Sequence, residues 1–224
     1  MYIFWSLVMG LGIMLLQPSG GQATETIKLP PPVKTGGMPL VEALKVRRTV
    51  RAFASRPLDL GQISQLLWGA DGTSDPRGHR TSPSAGATYP LDLYLVAGER
   101  GVADLAAGVY HYEVAAQALT PVAPGDTRAA VARASRHQSW MPQAPVMVVI
   151  TGEYRRCTGR YGERGVRYTH MEVGNVSQNL FLAAEAQGLG AGIVGAFEDK
   201  ALAQAVNLPP AHEPLLVMPV GYKP

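Results

Sequence analysis

The stretch at residues 161–197, YGERGVRYTHMEVGNVSQNLFLAAEAQGLGAGIVGAF, constrains the fold more than any other part of the chain. It runs from a charged approach through a long apolar helix signal to a glycine-rich exit. Within that exit, Gly190-Ala191-Gly192-Ile193-Val194-Gly195 matches the dinucleotide fingerprint GxGxxG letter for letter. The fingerprint works only where a strand leads into a helix. There the tight turn aims backbone N–H groups and a helix N-terminus at a pyrophosphate. Here the order is reversed. Residues 168–187 contain no proline, have Gly174 as their single glycine, and are rich in Ala, Leu, Gln and Glu; Gly188 then acts as a helix stop. Only 29 residues follow Gly195. A βαβ unit alone takes roughly 30, and a doubly wound sheet needs more than one. The glycines therefore leave a helix rather than open one, and a Rossmann-type nicotinamide site is set aside.

A length of 224 residues favours one domain, and 46% apolar with 17% charged residues supplies an ordinary core. The net charge is +3, with Lys and Arg scattered. Arg155, Arg156, Arg160, Arg164 and Arg167 are interrupted by Glu153 and Glu163, which reads as a solvated or anion-holding segment rather than a nucleic-acid surface. Cys157 is the single cysteine, so neither a disulfide within the chain nor a cysteine zinc site is expected. The five histidines are far apart, none at HxxxH or HExxH spacing, and no metal centre is expected.

Residues 1–23 carry no charged side chain. Residues 3–16 are an apolar run of 14, closed by Pro18-Ser19-Gly20-Gly21, and Gly21-Gln22-Ala23 offers a small-x-small cleavage site. At about 1.5 Å per residue the run spans about 21 Å, short of a hydrocarbon core of about 30 Å. The layout is that of a signal peptide, with an uncleaved membrane anchor through residues 1–16 as the alternative. Either reading puts the protein in an exported, extracytoplasmic place. Residues 24–39, with Pro30-Pro31-Pro32 and Gly36-Gly37, read as an extended linker to a domain at 40–224.

Within that domain, helices are expected at 40–47, 60–70, 127–136, 168–187 and 199–206. Strands are expected at 91–97, 145–151, 193–196 and 215–220, with a hairpin at 108–114 and 118–122. The apolar run PVMVVIT at 145–151 has the composition of a central strand. Mixed helices and hairpins of this kind give an α+β class rather than regular βαβ winding.

Three motifs carry chemistry. Arg47-Arg48-Thr49-Val50-Arg51 places three guanidiniums and a hydroxyl where the first helix ends, a donor set that suits a phosphate and equally a solvated basic helix end. Pro83-Ser84-Ala85-Gly86 precedes a strand with small residues that let backbone approach a flat ligand. Residues 161–168 combine a phenol, a carboxylate and two guanidiniums. Neither GxSxG nor GxxxxGK[ST] occurs, and hydrolase and phosphoryl-transfer chemistry have no support.

In this order, RRTVRAF (47–53), RTSPSAGATYPLDLYLV (80–96), YGERGVRY (161–168), EVGNVSQNLFLAAEAQGLGAGIVGAF (172–197) and MPVG (218–221) resemble the FMN-dependent nitroreductase superfamily. Within it they are most similar to the branch of SagB-type thiazole/oxazole-forming dehydrogenases. The resemblance implies a nitroreductase-like α+β fold. Its central, mostly antiparallel sheet is flanked by helices, and a long buried helix lies at the interface of a homodimer that holds FMN between subunits. It assigns the FMN phosphate to Arg47 and Thr49, with Arg48 in the same cluster and Lys223 joining them. It puts Arg51 near the pyrimidine edge of the flavin. It has Pro83, Ser84, Ala85 and Gly86 line the ring from the partner, and it sets Val194 and Gly195 beside N5 with a backbone N–H as donor. Tyr161 is the candidate catalytic residue.

The activity implied is ping-pong hydride exchange between a reduced nicotinamide or other donor and an electrophilic acceptor such as a nitroaromatic or quinone. The alternatives are an azoline or peptide dehydrogenase and a non-catalytic flavin-binding protein. The chain departs from the azoline-oxidising branch at one informative place. Arg160-Tyr161 stands where that branch has Lys-Tyr, and arginine is no base near neutral pH.

Overall fold

A computed structural model of the chain describes Met1 and residues 26–224. The expected export segment therefore lies outside the described residues apart from Met1. Among those described, no helix is long and apolar enough to cross a membrane.

The described residues are built on one sheet of seven strands. β1 (Ile27–Lys28), β2 (Leu91–Ala97), β3 (Gly108–Glu113), β4 (Ala118–Pro124), β5 (Val146–Gly152), β6 (Leu189–Ala191) and β7 (Glu213–Tyr222) lie in the order β1-β4-β3-β2-β5-β7-β6. Every neighbouring pair is antiparallel. Among the described residues six α-helices accompany it: α1 (Leu40–Val46), α2 (Leu60–Asp71), α3 (Arg128–Ala134), α4 (Tyr154–Tyr161), α5 (Arg164–Glu185) and α6 (Asp199–Ala205).

Both faces of the sheet are covered. Leu91, Leu93 and Leu95 of β2 join Val148 and Ile150 of β5 in a core with Ile63, Leu66 and Leu67 of α2 and Val176, Leu180 and Ala184 of α5. Tyr94, Val96, Met147 and Val149 point the other way, onto Val131 of α3 and Leu202 of α6. Strands covered on both sides read as continuous apolar runs, which is why 145–151 carries the signal of a central strand. The expected α+β architecture stands, with β2 and β5 at its centre.

Three local features differ from the sequence reading. The long helix starts at Arg164 rather than 168, and a separate helix, α4, precedes it. Gly162 makes the corner between them at φ 56° and ψ −150°, in the left-handed half of backbone space that glycine tolerates. The short strand near 193–196 is instead β6, four residues earlier at its start, while Val194 makes a single bridge to Val217. Finally, the segment read as a linker is extended but docked. β1 pairs with β4, the Ser64 hydroxyl donates to the Pro30 carbonyl, and the Gln65 amide both accepts from Val33 N and donates to Val33 O.

α2 and α5 pack side by side over β2 and β5, and Gly69 is at their contact. A Cβ there would lie 2.7 Å from the Ala183 Cβ. Gly69→Val is therefore expected to overpack the seam and cost about 1–3 kcal/mol, measured as a lower urea midpoint at unchanged m-value.

Candidate active site

The Arg47–Arg51 motif and the glycine-rich exit meet at the β6 edge of the sheet. Val50 N donates to the Ala191 carbonyl at 2.8 Å, and Thr49 forms a parallel bridge with Ala191. The glycines permit this approach. A Cβ on Gly190 would lie 2.7 Å from Val50 Cγ2, and one on Gly192 would lie 2.9 Å from Val50 O and 2.6 Å from the Trp140 ring. The decoy fingerprint thus has a steric purpose: its small residues let the basic segment lie across them.

The cations at this edge have distinct surroundings. The arginine–carboxylate pairs among the described residues belong to Arg77, Arg80, Arg128, Arg136 and Arg156, so Arg47, Arg48 and Arg51 have none. The Arg47 guanidinium lies 5.0 Å from the centroid of the Phe181 ring on α5. Arg48 donates to the carbonyls of Lys45 and Arg47, capping the end of α1. For Arg48 the helix-end reading therefore has direct support. Arg51 is exposed and Thr49 half-buried. Lys223 Nζ is 2.5 Å from Glu185 Oε2. Val194 uses both backbone groups on Val217, while Gly195 is exposed and its N–H has no acceptor among the described residues. Of the two residues proposed for an N–H donor, Gly195 alone keeps one available.

The Pro83–Gly86 loop sits elsewhere, between α4 and the first half of α5. Ala85 N donates to Glu172 Oε1 at 2.9 Å, and Tyr89 N donates to the Ser84 hydroxyl at 2.9 Å. Gly86 has φ 58°. The Tyr161 hydroxyl occupies the space a Cβ on Gly86 would need, and Arg160 Nη1 would lie 2.8 Å from that Cβ. Arg160 also donates to the Gly86 carbonyl at 3.1 Å. A larger residue would have to push both side-chain ends aside and adopt the left-handed φ that glycine tolerates. Arg156, one turn earlier on α4, fixes this helix to the sheet through Asp92 at 2.8 Å.

Three carboxylates of this region were not singled out in the sequence. Glu172 is buried, and burial pushes its carboxyl up despite the hydrogen bond from Ala85. Glu185 underlies Lys223. Asp71, at the end of α2, accepts from Ser82 and from Arg80, so it holds the chain just before Pro83. The available signal was position. Glu172 and Glu185 are acids on the apolar helix signal, where an exposed face would be the ordinary place for them.

The two groups of residues do not form one pocket. Glu172 and Glu185 are both on α5, thirteen residues or about 20 Å apart. The cavity of about 310 Å³ at Pro83, Ser84, Ala85, Tyr168 and Glu172 includes no residue of 47–51 or 190–195. A larger cavity of about 660 Å³, bordered by Phe53, Arg56 and Pro145, also contains none of them.

Burial raises the Asp71 carboxyl to about 6 from an ordinary 3.8, against the pull of Arg80 and Ser82. Between about pH 4 and pH 6 the folded chain thus holds a proton that the unfolded chain has released. The stability attributable to Asp71 falls as pH rises through that window and is level above it. Urea unfolding of wild type and Asp71→Asn across pH 4–7 is expected to show the wild-type advantage shrinking over that interval.

A nitroreductase family model matches residues 44–222. A proposed nitroreductase of Methanocaldococcus jannaschii, MJ1384, is 41% identical over 184 residues, covering 82% of this chain and 91% of that protein. The microcin B17-processing protein McbC of Escherichia coli is 32% identical over 155 residues, covering 67% of this chain and 57% of McbC. Among solved structures, a proposed nitroreductase of Ralstonia eutropha aligns with a TM-score of 0.79 at 28% identity over 99% of each chain. Fold, motif order and these relatives agree, and the chain belongs to the nitroreductase family of flavin oxidoreductases.

Proposed function

We propose that the protein is an FMN-dependent oxidoreductase of ping-pong type. A reduced nicotinamide or other donor would deliver a hydride, and an electrophilic acceptor such as a nitroaromatic or quinone would remove it. The carrying observation is the β6 edge, where the Arg47–Arg51 segment, its arginines without carboxylate partners among the described residues, bridges Ala191 four residues before Gly195, whose N–H is unclaimed. The donor set fits the group. Arg47, Thr49 and Lys223 would hold the phosphate, and Arg51 would place a fixed cation at the ring. FMN bound there would supply the electron-transfer chemistry. The protein's part is to orient it through Gly195 and to set the local field through Arg51.

The separation of the two residue groups along α5 supports a site shared by two copies. A homodimer would bring the Pro83–Gly86 loop of one copy to the β6 edge of the other. Leu40, Val41 and Leu44 of α1 and Met171 of α5 leave large apolar side chains exposed, at 62%, 78%, 51% and 58%, which such an interface would cover. The second reading is azoline oxidation, favoured by McbC and by the contact of Tyr161 with Gly86. Arg160 counts against it. Its guanidinium holds the Gly86 carbonyl and cannot accept a proton, which leaves Tyr161 without the lysine partner. We propose an exported location on the layout of residues 1–23.

Purified protein is expected to be yellow and to release FMN on heating. Anaerobic NADPH should bleach it, and a nitroaromatic should restore the colour. Colourless protein that takes up no added FMN would sink the proposal. Gly195→Pro removes the proposed donor and should slow flavin reduction, on the order of 100-fold, with FMN still bound. N-terminal sequencing of secreted protein should find a mature chain beginning near Thr24; retention of Met1 would contradict cleavage.

A further inference from the structure

A negative charge is an unexpected neighbour for a phosphate clamp, yet one is built in at its floor. Glu185, the last residue of α5, has a side chain only 3% exposed. Its Oε2 pairs with Lys223 at 2.5 Å, and its Oε1 is buried with no hydrogen-bond partner. Lys223 is 40% exposed along its side chain, so the pair joins the interior to the open edge. One helical turn earlier on α5, Phe181 carries the Arg47 guanidinium on its ring. The Lys223 stem and Val50 flank Gly190 from 3.1 and 2.7 Å of its Cβ position. Arg47, the Thr49-Val50 strand and Lys223 therefore share one corner, and Glu185 lies beneath it.

We propose that Glu185 is an internal counter-ion that occupies Lys223 and restrains the affinity of this corner for the phosphate of the cofactor. The inference rests on reading Arg47, Thr49 and Lys223 as the phosphate end of a flavin site. Two effects of opposite sign compete. Pairing with Glu185 orders the lysine, which favours a ligand by sparing rotamer freedom. The carboxylate also repels a phosphate held on the far side of the same ammonium. That repulsion acts at short range from a buried position, where solvent and salt screen poorly, and it outweighs the ordering of one side chain. A carboxylate with one oxygen unpartnered has no second cation to cancel its charge. Its role is thus one of positioning and charge balance, and it acts through Lys223.

The test is equilibrium binding of FMN and of riboflavin to the cofactor-depleted full chain, followed by flavin fluorescence. Glu185→Gln keeps an acceptor for Lys223 and removes the charge. It is expected to tighten FMN on the order of tenfold while riboflavin, which lacks the phosphate, stays within about twofold. Lys223→Met exposes the unpaired carboxylate to the phosphate and should weaken FMN. Adding Glu185→Gln to it should restore the part of the loss that comes from the carboxylate, on the order of tenfold, in a variant that buries no unpaired charge and so keeps the fold. Unchanged or weaker FMN binding in Glu185→Gln, an equal change for riboflavin, or no rescue in the double variant would overturn the role of Glu185 alone. Wild-type protein that binds FMN no better than riboflavin would overturn the phosphate site and this inference with it.

Discussion

The passage of the Arg47–Arg51 segment across the bare backbone of Gly190 and Gly192 is the contact on which the site depends. It requires two things at once. The glycines must carry no side chain, because Val50 and Trp140 fill the space a Cβ would take. The main chain must also pair, as Val50 does with Ala191. From this one crossing follows the location of three arginines at a sheet edge. A sequence motif known for cradling a pyrophosphate with its own N–H groups does something different here. It serves as a flat surface on which another segment brings the cations.

α5 sets the second constraint. It touches the Pro83–Gly86 loop through Glu172 in its first half and the basic corner through Phe181 and Glu185 at its end. A rigid helix keeps those groups about 20 Å apart, so folding alone cannot bring them together within one chain. The proposed second copy resolves the spacing without any movement in either subunit. It also gives a reason for the exposed apolar residues of α1, whose helix packs on α5 beside the basic corner.

Much of this was legible in the sequence, and the exceptions have physical causes. β2 is legible with its observed bounds because Leu91, Leu93 and Leu95 alternate with Asp92, Tyr94 and Val96 between Pro90 and Gly98. β6 was misplaced because Leu189-Gly190-Ala191 has no β-branched residue, whereas Ile193-Val194 has two and makes only one bridge. α4 was missed because Tyr-Arg-Arg-Cys-Thr-Gly-Arg-Tyr has no apolar stripe; it is held by Arg156 and the buried Cys157 rather than by helix propensity. The motif segments stand out in the sequence, since each is a recognisable type in a recognisable order. The acids that contact them do not stand out. Asp71, Glu172 and Glu185 matter through partners 11, 87 and 38 positions away, a relation that periodicity does not carry.

Arg160 shows how one substitution can serve structure at the expense of a reaction. At its position the related azoline-forming branch has a lysine, which can accept a proton when its surroundings favour the neutral amine. Arginine offers a planar set of donors that stays charged. Here one of them clamps the Gly86 carbonyl while the adjacent Tyr161 covers the same glycine. The loop gains a fixed conformation, and Gly86 can hold its left-handed backbone angle under a permanent cation. In the proposed site this position offers no proton acceptor. On the proposed function, Tyr161 is left to donate a hydrogen bond at the loop, which suits chemistry in which the hydride would move through the cofactor without a protein base.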